Sequence, residues 1–351
     1  MLTKRERVFA SIRRTGMDAI PWQFDLTQAL AARLRTHFGT NDLLSATGDH
    51  IVWVGAIAPP SADEAPLEMG LVRDEFGTLW HREARDRSVG DWGGLASVPL
   101  HEPSLKGFRF PDVAATGRWD RVPATRQKHP DHFIVAYGSG LFERAWSLCG
   151  FENYLAWLAT ERGFIEELTA RLADYSCALT SRLAGMGADG IRFGDDWGLQ
   201  RGLMIDPKLW RSVFKEPYRR IYAAARQAGL VVMIHSCGNI TEILPDLIDI
   251  GVEVVHPLQP EAMDVEFCQR QYGRHVTFWG GLGSQSTIPL GSPDDNRRQA
   301  QRMLELFREG GYILAPAGAA PAETPVANIA AIVDVAKSQL PPTSEVHGPV
   351  P

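Results

Sequence analysis

His235 and Cys237 stand two residues apart at the end of the apolar run 230–234 (LVVMI). A run of that length rich in valine and isoleucine reads as a buried strand. Residues two apart on an extended backbone point the same way, so the imidazole and the thiol leave the strand end side by side. Both are ligands for a borderline-soft ion such as zinc, and a core histidine beside a small buried cysteine is the competing reading. Other strand ends carry similar cargo. Asp195 and Asp196 follow the run 190–194, and they fit a shared acid–base site, a solvated loop or a helix cap. Glu143 follows the run 133–137 and joins them as a catalytic carboxylate. Tyr137 and Trp197 offer flat faces for a ligand or for packing. Gln200, Gln259 and Gln285 offer amides to a substrate oxygen.

These residues need a frame that gathers strand ends on one face. Thr3, with Glu6 three residues on, opens an amphipathic helix over 3–15 carrying Val8, Phe9 and Ile12. Strands are expected at 20–24, 51–54, 133–137, 190–194, 230–235, 252–256, 275–280 and 311–315. Helical stretches separate them, among them 26–38, one long helix over 161–186, 207–228, 264–272, 293–309 and 325–338. Repeated strand–helix units with short links call for parallel pairing and right-handed crossovers. Eight of them make an α/β fold of the (β/α)8 TIM barrel type, whose functional groups gather past the carboxyl ends of the strands. Residues 1–340 are expected to form this one domain, and 341–351 a disordered tail. Within it, 56–132 is rich in Pro, Gly and Asp and reads as a β-hairpin and loop excursion, either a lid or an interface for a homodimer.

Composition narrows the function. With 351 residues and a formal net charge of −6, the chain has no basic face for nucleic acid. Four scattered cysteines, Cys149, Cys177, Cys237 and Cys268, contain no CxxC pair and argue against a disulfide scaffold. The charged start lacks the apolar core of a signal peptide, and no stretch of ~18 apolar residues spans a membrane. The expectation is a soluble cytoplasmic protein.

The strand-end words also resemble a known family. Segments 194–200 (GDDWGLQ), 235–240 (HSCGNI), 257–264 (PLQPEAMD) and 311–316 (GYILAP), with 74–77 (DEFG) and 140–146 (GLFERAW), are similar in order and spacing to the uroporphyrinogen decarboxylase superfamily, above all its corrinoid-dependent methyltransferase branch. The resemblance covers residues 3–338 and implies the same barrel. It implies one zinc per chain, held by a His-x-Cys pair matching His235 and Cys237 and by a second Cys after the last strand. It further implies a small methylated substrate and a corrinoid (cobalamin-type) cofactor carried on a partner protein, as in O-demethylase systems. This chain departs from the pattern, because residues 315–323 (APAGAAPAE) hold no Cys and no His. A carboxylate is then the expected third ligand, with Glu143, Glu323, Asp195 and Asp196 as candidates. The decarboxylases' Arg-Gln-Ala-Gly-Arg word is replaced by 21–25 (PWQFD), which excludes uroporphyrinogen as substrate. Two alternatives to zinc-dependent methyl transfer remain: a metal-independent decarboxylase or lyase of the same barrel, and a non-catalytic ligand-binding member.

Overall fold

A computed structural model describes residues 1–56, 70–81, 94–115 and 117–341. The strands in chain order are β1 (Ile51–Val54), β2 (Leu71–Arg73), β3 (Leu79–His81), β4 (Leu95–Ser97), β5 (Phe133–Gly138), β6 (Gly190–Gly194), β7 (Gly198–Leu199), β8 (Gly202–Leu203), β9 (Val231–His235), β10 (Val254–Leu258), β11 (Thr277–Leu282) and β12 (Tyr312–Pro316). Seven of them form one parallel sheet in the order β1-β5-β6-β9-β10-β11-β12, with helices between successive strands. The order never reverses, so the sheet curls on itself as a (β/α)8-type barrel.

The closing edge corrects the expected first strand. Residues 21–24 make only an isolated parallel bridge, Trp22 to Leu314. They still stitch the barrel shut. Gln23 N donates to Leu314 O, Leu314 N to Pro21 O, and His50 N to Trp22 O, at 2.9–3.0 Å. A regular strand fails here because two backbone donors go to side chains: Trp22 N to His50 Nδ1 (3.4 Å) and Phe24 N to Asp49 Oδ2 (3.2 Å). The long helix expected over 161–186 also stops early, at Arg162–Ser181. Gly185 and Gly187, both at positive φ, follow it into the next turn.

Alternation along the strands sorts two apolar layers. Ile51, Phe133, Val135, Val231, Met233, Val254, Trp279, Ile313 and Ala315 fill the barrel interior. Ile134, Ala136, Ile191, Phe193, Val232, Ile234, Val255 and Phe278 face outward into the helix shell. The helix Lys4–Arg13 starts on the expected Thr3–Glu6 capping box. It presses Val8 and Ile12 into the interior layer, while Arg5 N donates to Asp131 O and Gly311 N donates to Ser11 O. Those partners precede β5 and β12, so the helix plugs the amino-terminal end. The other end is left for chemistry.

Within the excursion at 56–132, the described part holds a three-stranded antiparallel sheet, β2-β3-β4. Its tight link at residues 74–78 is a turn of the hairpin kind expected in this excursion, with Asp74 N donating to Thr78 O (2.9 Å) and Gly77 at φ +90°. Arg144 pairs with Asp74 (2.6 Å) and Arg118 with Glu75 (2.7 Å), which ties the sheet to the helical shell. A helix, Arg121–Lys128, closes the excursion. Residues 57–69, 82–93 and 116 of the proposed lid or interface, and the expected disordered tail from residue 342 on, lie outside the described residues.

Candidate metal centre at the barrel mouth

The loops after β6 and β9 are pressed together at the carboxyl end of the sheet. Gly238 has φ +78°, and a Cβ on it would lie 2.4 Å from the carbonyl carbon of Gly198, so only glycine permits this approach. Asn239 N donates to Leu199 O (2.7 Å), Trp197 N to Ser236 Oγ (2.9 Å), and Cys237 N to Asp196 Oδ1 (2.8 Å). Gln259, from the end of β10, accepts from Gly238 N through Oε1 (2.9 Å). The His-x-Cys turn is thus gripped from two sides, by the loop after β6 and by Gln259.

The result is a cluster of three donor types. His235 Nε2 lies 3.6 Å from Cys237 Sγ and 3.5 Å from Asp196 Oδ1. One ligand atom from each residue lies within 4.8 Å of the others. Tetrahedral zinc bonds of about 2.0–2.3 Å place N and O ligands ~3.4 Å apart and N and S ligands ~3.6 Å apart. The donor set therefore fits zinc in chemistry and in spacing. Three protein donors are the number a catalytic zinc site needs if one position is to stay open. The third residue of this cluster is Asp196, and neither Glu143 nor Glu323 belongs to it. Glu323 is exposed and stands outside the cluster.

The tautomer of His235 follows from its neighbours. Arg192 can only donate, and Nη1 reaches His256 Nδ1 at 3.2 Å, so that nitrogen accepts. His235 Nδ1 sits 2.7 Å from the same atom and must carry the proton. Its Nε2 lone pair is thereby turned toward Cys237 and Asp196. Burial, then the charge of Arg192, lowers the His235 pKa to about 4, which keeps the ring neutral and able to ligate. Burial, reinforced by Asp196, pushes the Cys237 thiol up to about 12. The charge of Arg192 only partly offsets this, so the sulfur holds its proton at neutral pH.

The carboxylates separate into different roles. Asp195 is 2% exposed, and its two oxygens accept from Leu141, Phe142 and Glu143 N at 2.7–2.9 Å. It caps the helix Phe142–Cys149, and Gly140 makes room for it, since a Cβ there would lie 2.4 Å from Asp195 Oδ1. Burial outweighs those three bonds and raises its pKa to about 7. Glu143 heads that helix with its Oε2 beside Gly194, and its carboxyl makes no hydrogen bond among the described residues. Burial, then Asp195 and Asp196, raises its pKa to about 8, so it is a protonated acid at neutral pH.

Of the proposed ligand contacts, Trp197 is a correction. It is 1% exposed and packs edge-on against Trp210 and Tyr218, at 5.5 and 5.4 Å between centroids. Tyr137 is 43% exposed and stacks on Trp53 at 5.0 Å. Gln200 and Gln285 join across the rim, Nε2 to Oε1 at 3.0 Å, while Gln259 is buried as the brace of the turn. Three further mouth residues, Arg192, Trp53 and Asp25, emerge only from the structure. Arg192 has a visible signal, an arginine inside the apolar run 190–194 (GIRFG). Two surface clefts, one lined by Met17, Gln301 and Gln339 and one by Phe108, Phe164 and Arg171, lie away from this mouth.

Comparisons with known proteins bear on the fold and on kinship. Residues 124–339 match the family described as Uroporphyrinogen decarboxylase (URO-D). A methylcobamide:CoM methyltransferase MtaA of Methanosarcina barkeri is 24% identical over 240 residues, 68% of this chain and 66% of the relative. The MtaA of Methanosarcina barkeri strain Fusaro is 23% identical over 223 residues, 61% of this chain and 63% of the relative. The chain thus aligns with just under two thirds of the length of these curated relatives. A solved methyltransferase from Methanosarcina mazei superposes with a TM-score of 0.72 at 18% identity, covering 96% of this chain and 99% of that one, which shows the shared fold. Among the described residues no helix is long and apolar enough to cross a membrane.

Proposed function

The chain belongs to the uroporphyrinogen decarboxylase family, and within it we propose that this member is a zinc-dependent methyltransferase. It moves a methyl group between a small methylated compound, as an O-demethylase would, and a corrinoid carried on a separate protein. The observation that carries the reading is the trio of His235 Nε2, Cys237 Sγ and Asp196 Oδ1 at tetrahedral spacing, with the His235 lone pair turned inward. Asp196 takes the place of the second cysteine that this chain lacks. When bound, zinc supplies Lewis acidity that favours the anion of a thiol or hydroxyl, the form that exchanges methyl with a corrinoid.

The chain's own residues do the rest. Arg192 and His256 hold His235 in its ligating tautomer, an outer-layer role of the kind that tunes metal affinity. Gln259 and the Gly198–Gly238 contact fix the turn that presents Cys237. Glu143 stands protonated beside the cluster, placed to give a proton to a departing oxygen.

The test is metal content and turnover together. Full-length protein supplemented with zinc and desalted is expected to retain about one zinc per chain. It is expected to demethylate free methylcobalamin toward a thiol or hydroxyl acceptor. Absence of retained zinc would sink the reading. The same acid, Glu143, favours one alternative, a metal-independent lyase that protonates a carbanion after decarboxylation. That alternative requires activity indifferent to a chelator and abolished in Glu143→Gln.

A further inference from the structure

A guanidinium inside a barrel is unfavourable unless something answers its charge. Arg192 on β6 sits in register with Tyr137 on β5 and Met233 on β9. Its guanidinium carbon lies 4.3 Å from the Trp53 ring centroid and 5.1 Å from that of Tyr137. Nη1 donates to His256, and among the described residues this is the only hydrogen bond the guanidinium makes. No carboxylate is in ion-pair range of it there. Other recessed arginines of this chain are treated differently. Arg118 forks onto Glu75, Arg7 onto Asp18, and Arg126 reaches Asp189. Asp25 is felt by Arg192 only at a distance, and burial raises its own pKa despite that charge.

We propose that Arg192 binds an oxyanion of carboxylate type carried by the substrate, whose flat body lies against the exposed ring of Tyr137. The planar fork of arginine matches a carboxylate through paired N–H donors, and an arginine lying over an aromatic face keeps its in-plane edge for such a partner. The half-exposed Tyr137 ring continues that wall toward solvent. His256 joins Arg192 to His235 through two hydrogen bonds, 3.2 and 2.7 Å long, so the anion docks close to the proposed metal. The inference rests on the methyl-transfer reading only in taking this mouth as the substrate site, and it adds the charge class of the substrate.

Calorimetric titration of the full chain with benzoate and with its neutral isostere benzamide tests it, once in chelator and once with zinc added. Wild-type protein is expected to prefer benzoate by about tenfold or more in both conditions. Arg192→Met is expected to lose that preference while benzamide binding changes little. Arg192→Lys, which keeps the charge without the fork, is expected to fall between and serves if the methionine variant does not fold. Equal affinity for the two probes, or no binding of either, overturns the proposal. So does a preference that survives in Arg192→Met, and so does one that appears only with zinc, since the anion would then be a metal ligand. Zinc stoichiometry is measured on the same samples, so the metal reading and the anion reading can fail separately.

Discussion

The two ends of this barrel both bury ionisable groups, and they use them in opposite ways. At the amino-terminal foot, Asp189 accepts from Arg5 Nε (2.8 Å), from Ile134 N (2.9 Å) and from Arg126. Beside it Arg7 donates twice to Asp18 (2.7 and 2.9 Å), to Leu2 O and to His50. Nearly every donor is answered from inside the chain. At the mouth, Arg192 has a single imidazole partner, Glu143 makes no side-chain hydrogen bond among the described residues, and His235 turns a lone pair toward a thiol. Groups whose bonds are complete hold a fold together, whereas groups left incomplete are available to a ligand. The foot is therefore expected to govern stability and the mouth to govern binding and turnover.

The largest effects should split along that line. Cys237→Ala or Asp196→Ala is expected to lower zinc affinity and methyl transfer by about 100-fold or more, since each removes one of three ligands. The melting temperature of the metal-free protein should hardly move. Asp189→Asn at the foot should do the reverse. It strips two arginines and a backbone donor of a shared acceptor, and about 2–3 kcal/mol of stability should go, discounted for the partial exposure of both arginines. Zinc stoichiometry in the folded fraction should stay intact. Denaturant unfolding beside metal analysis checks both. A foot variant that loses zinc without losing stability breaks the division.

A middle-sized effect sharpens it. His256→Phe keeps the ring volume against Trp279 but removes the acceptor that holds the His235 proton on Nδ1. Zinc affinity is expected to fall by about 10–100-fold. The loss belongs to orientation, so Cys237 and Asp196 should still hold a weakly bound ion. Competition with a chromogenic chelator measures it. An unchanged affinity would mean that the imidazole pair does not set the tautomer.

The frame was legible in the chain because its signals are local. Apolar runs of strand length, the Thr3–Glu6 cap and the Asp74–Thr78 turn each depend on neighbours in sequence. His235 and Cys237 were legible as a pair for the same reason, both lying on one strand end. What was not legible depends on pairings across the barrel. Residues 21–24 have a strand's composition, but Trp22 N and Phe24 N are taken by His50 and Asp49, 28 and 25 positions away in sequence. Asp195 and Asp196 are adjacent and chemically alike. One faces the helix start at Leu141–Glu143 and the other faces Cys237, and only the fold tells them apart. Trp197 misses its expected place, and Arg192 gains an unexpected one, for a related reason. The aromatic finds a pocket between Trp210 and Tyr218, while the cation in the apolar strand is the one that lines the mouth.

The smallest effect concerns pH, and its sign differs between Glu143 at the mouth and Asp18 at the foot. Glu143 has its folded pKa raised from 4.5 to about 8. Its contribution to stability is complete below pH 4.5 and is lost as pH rises through 8, because folding then holds a buried charge beside Asp195 and Asp196. Asp18 has its folded pKa lowered from 3.8 to about 2, chiefly by its bonds to Arg7. Its contribution is present above 3.8 and is lost as pH falls through 2. Asp49 at the foot is also raised by burial, to about 7, so the slope of stability near neutrality is not the mouth's alone. Difference measurements remove that ambiguity. In chelator, Glu143→Gln should flatten the decline between pH 6 and 9 and raise the melting temperature at pH 9 by a few degrees. Asp18→Asn should lower stability by about 1 kcal/mol at pH 6 and by almost nothing at pH 2. Two variants with the same pH dependence would mean that mouth and foot do not hold their charges differently.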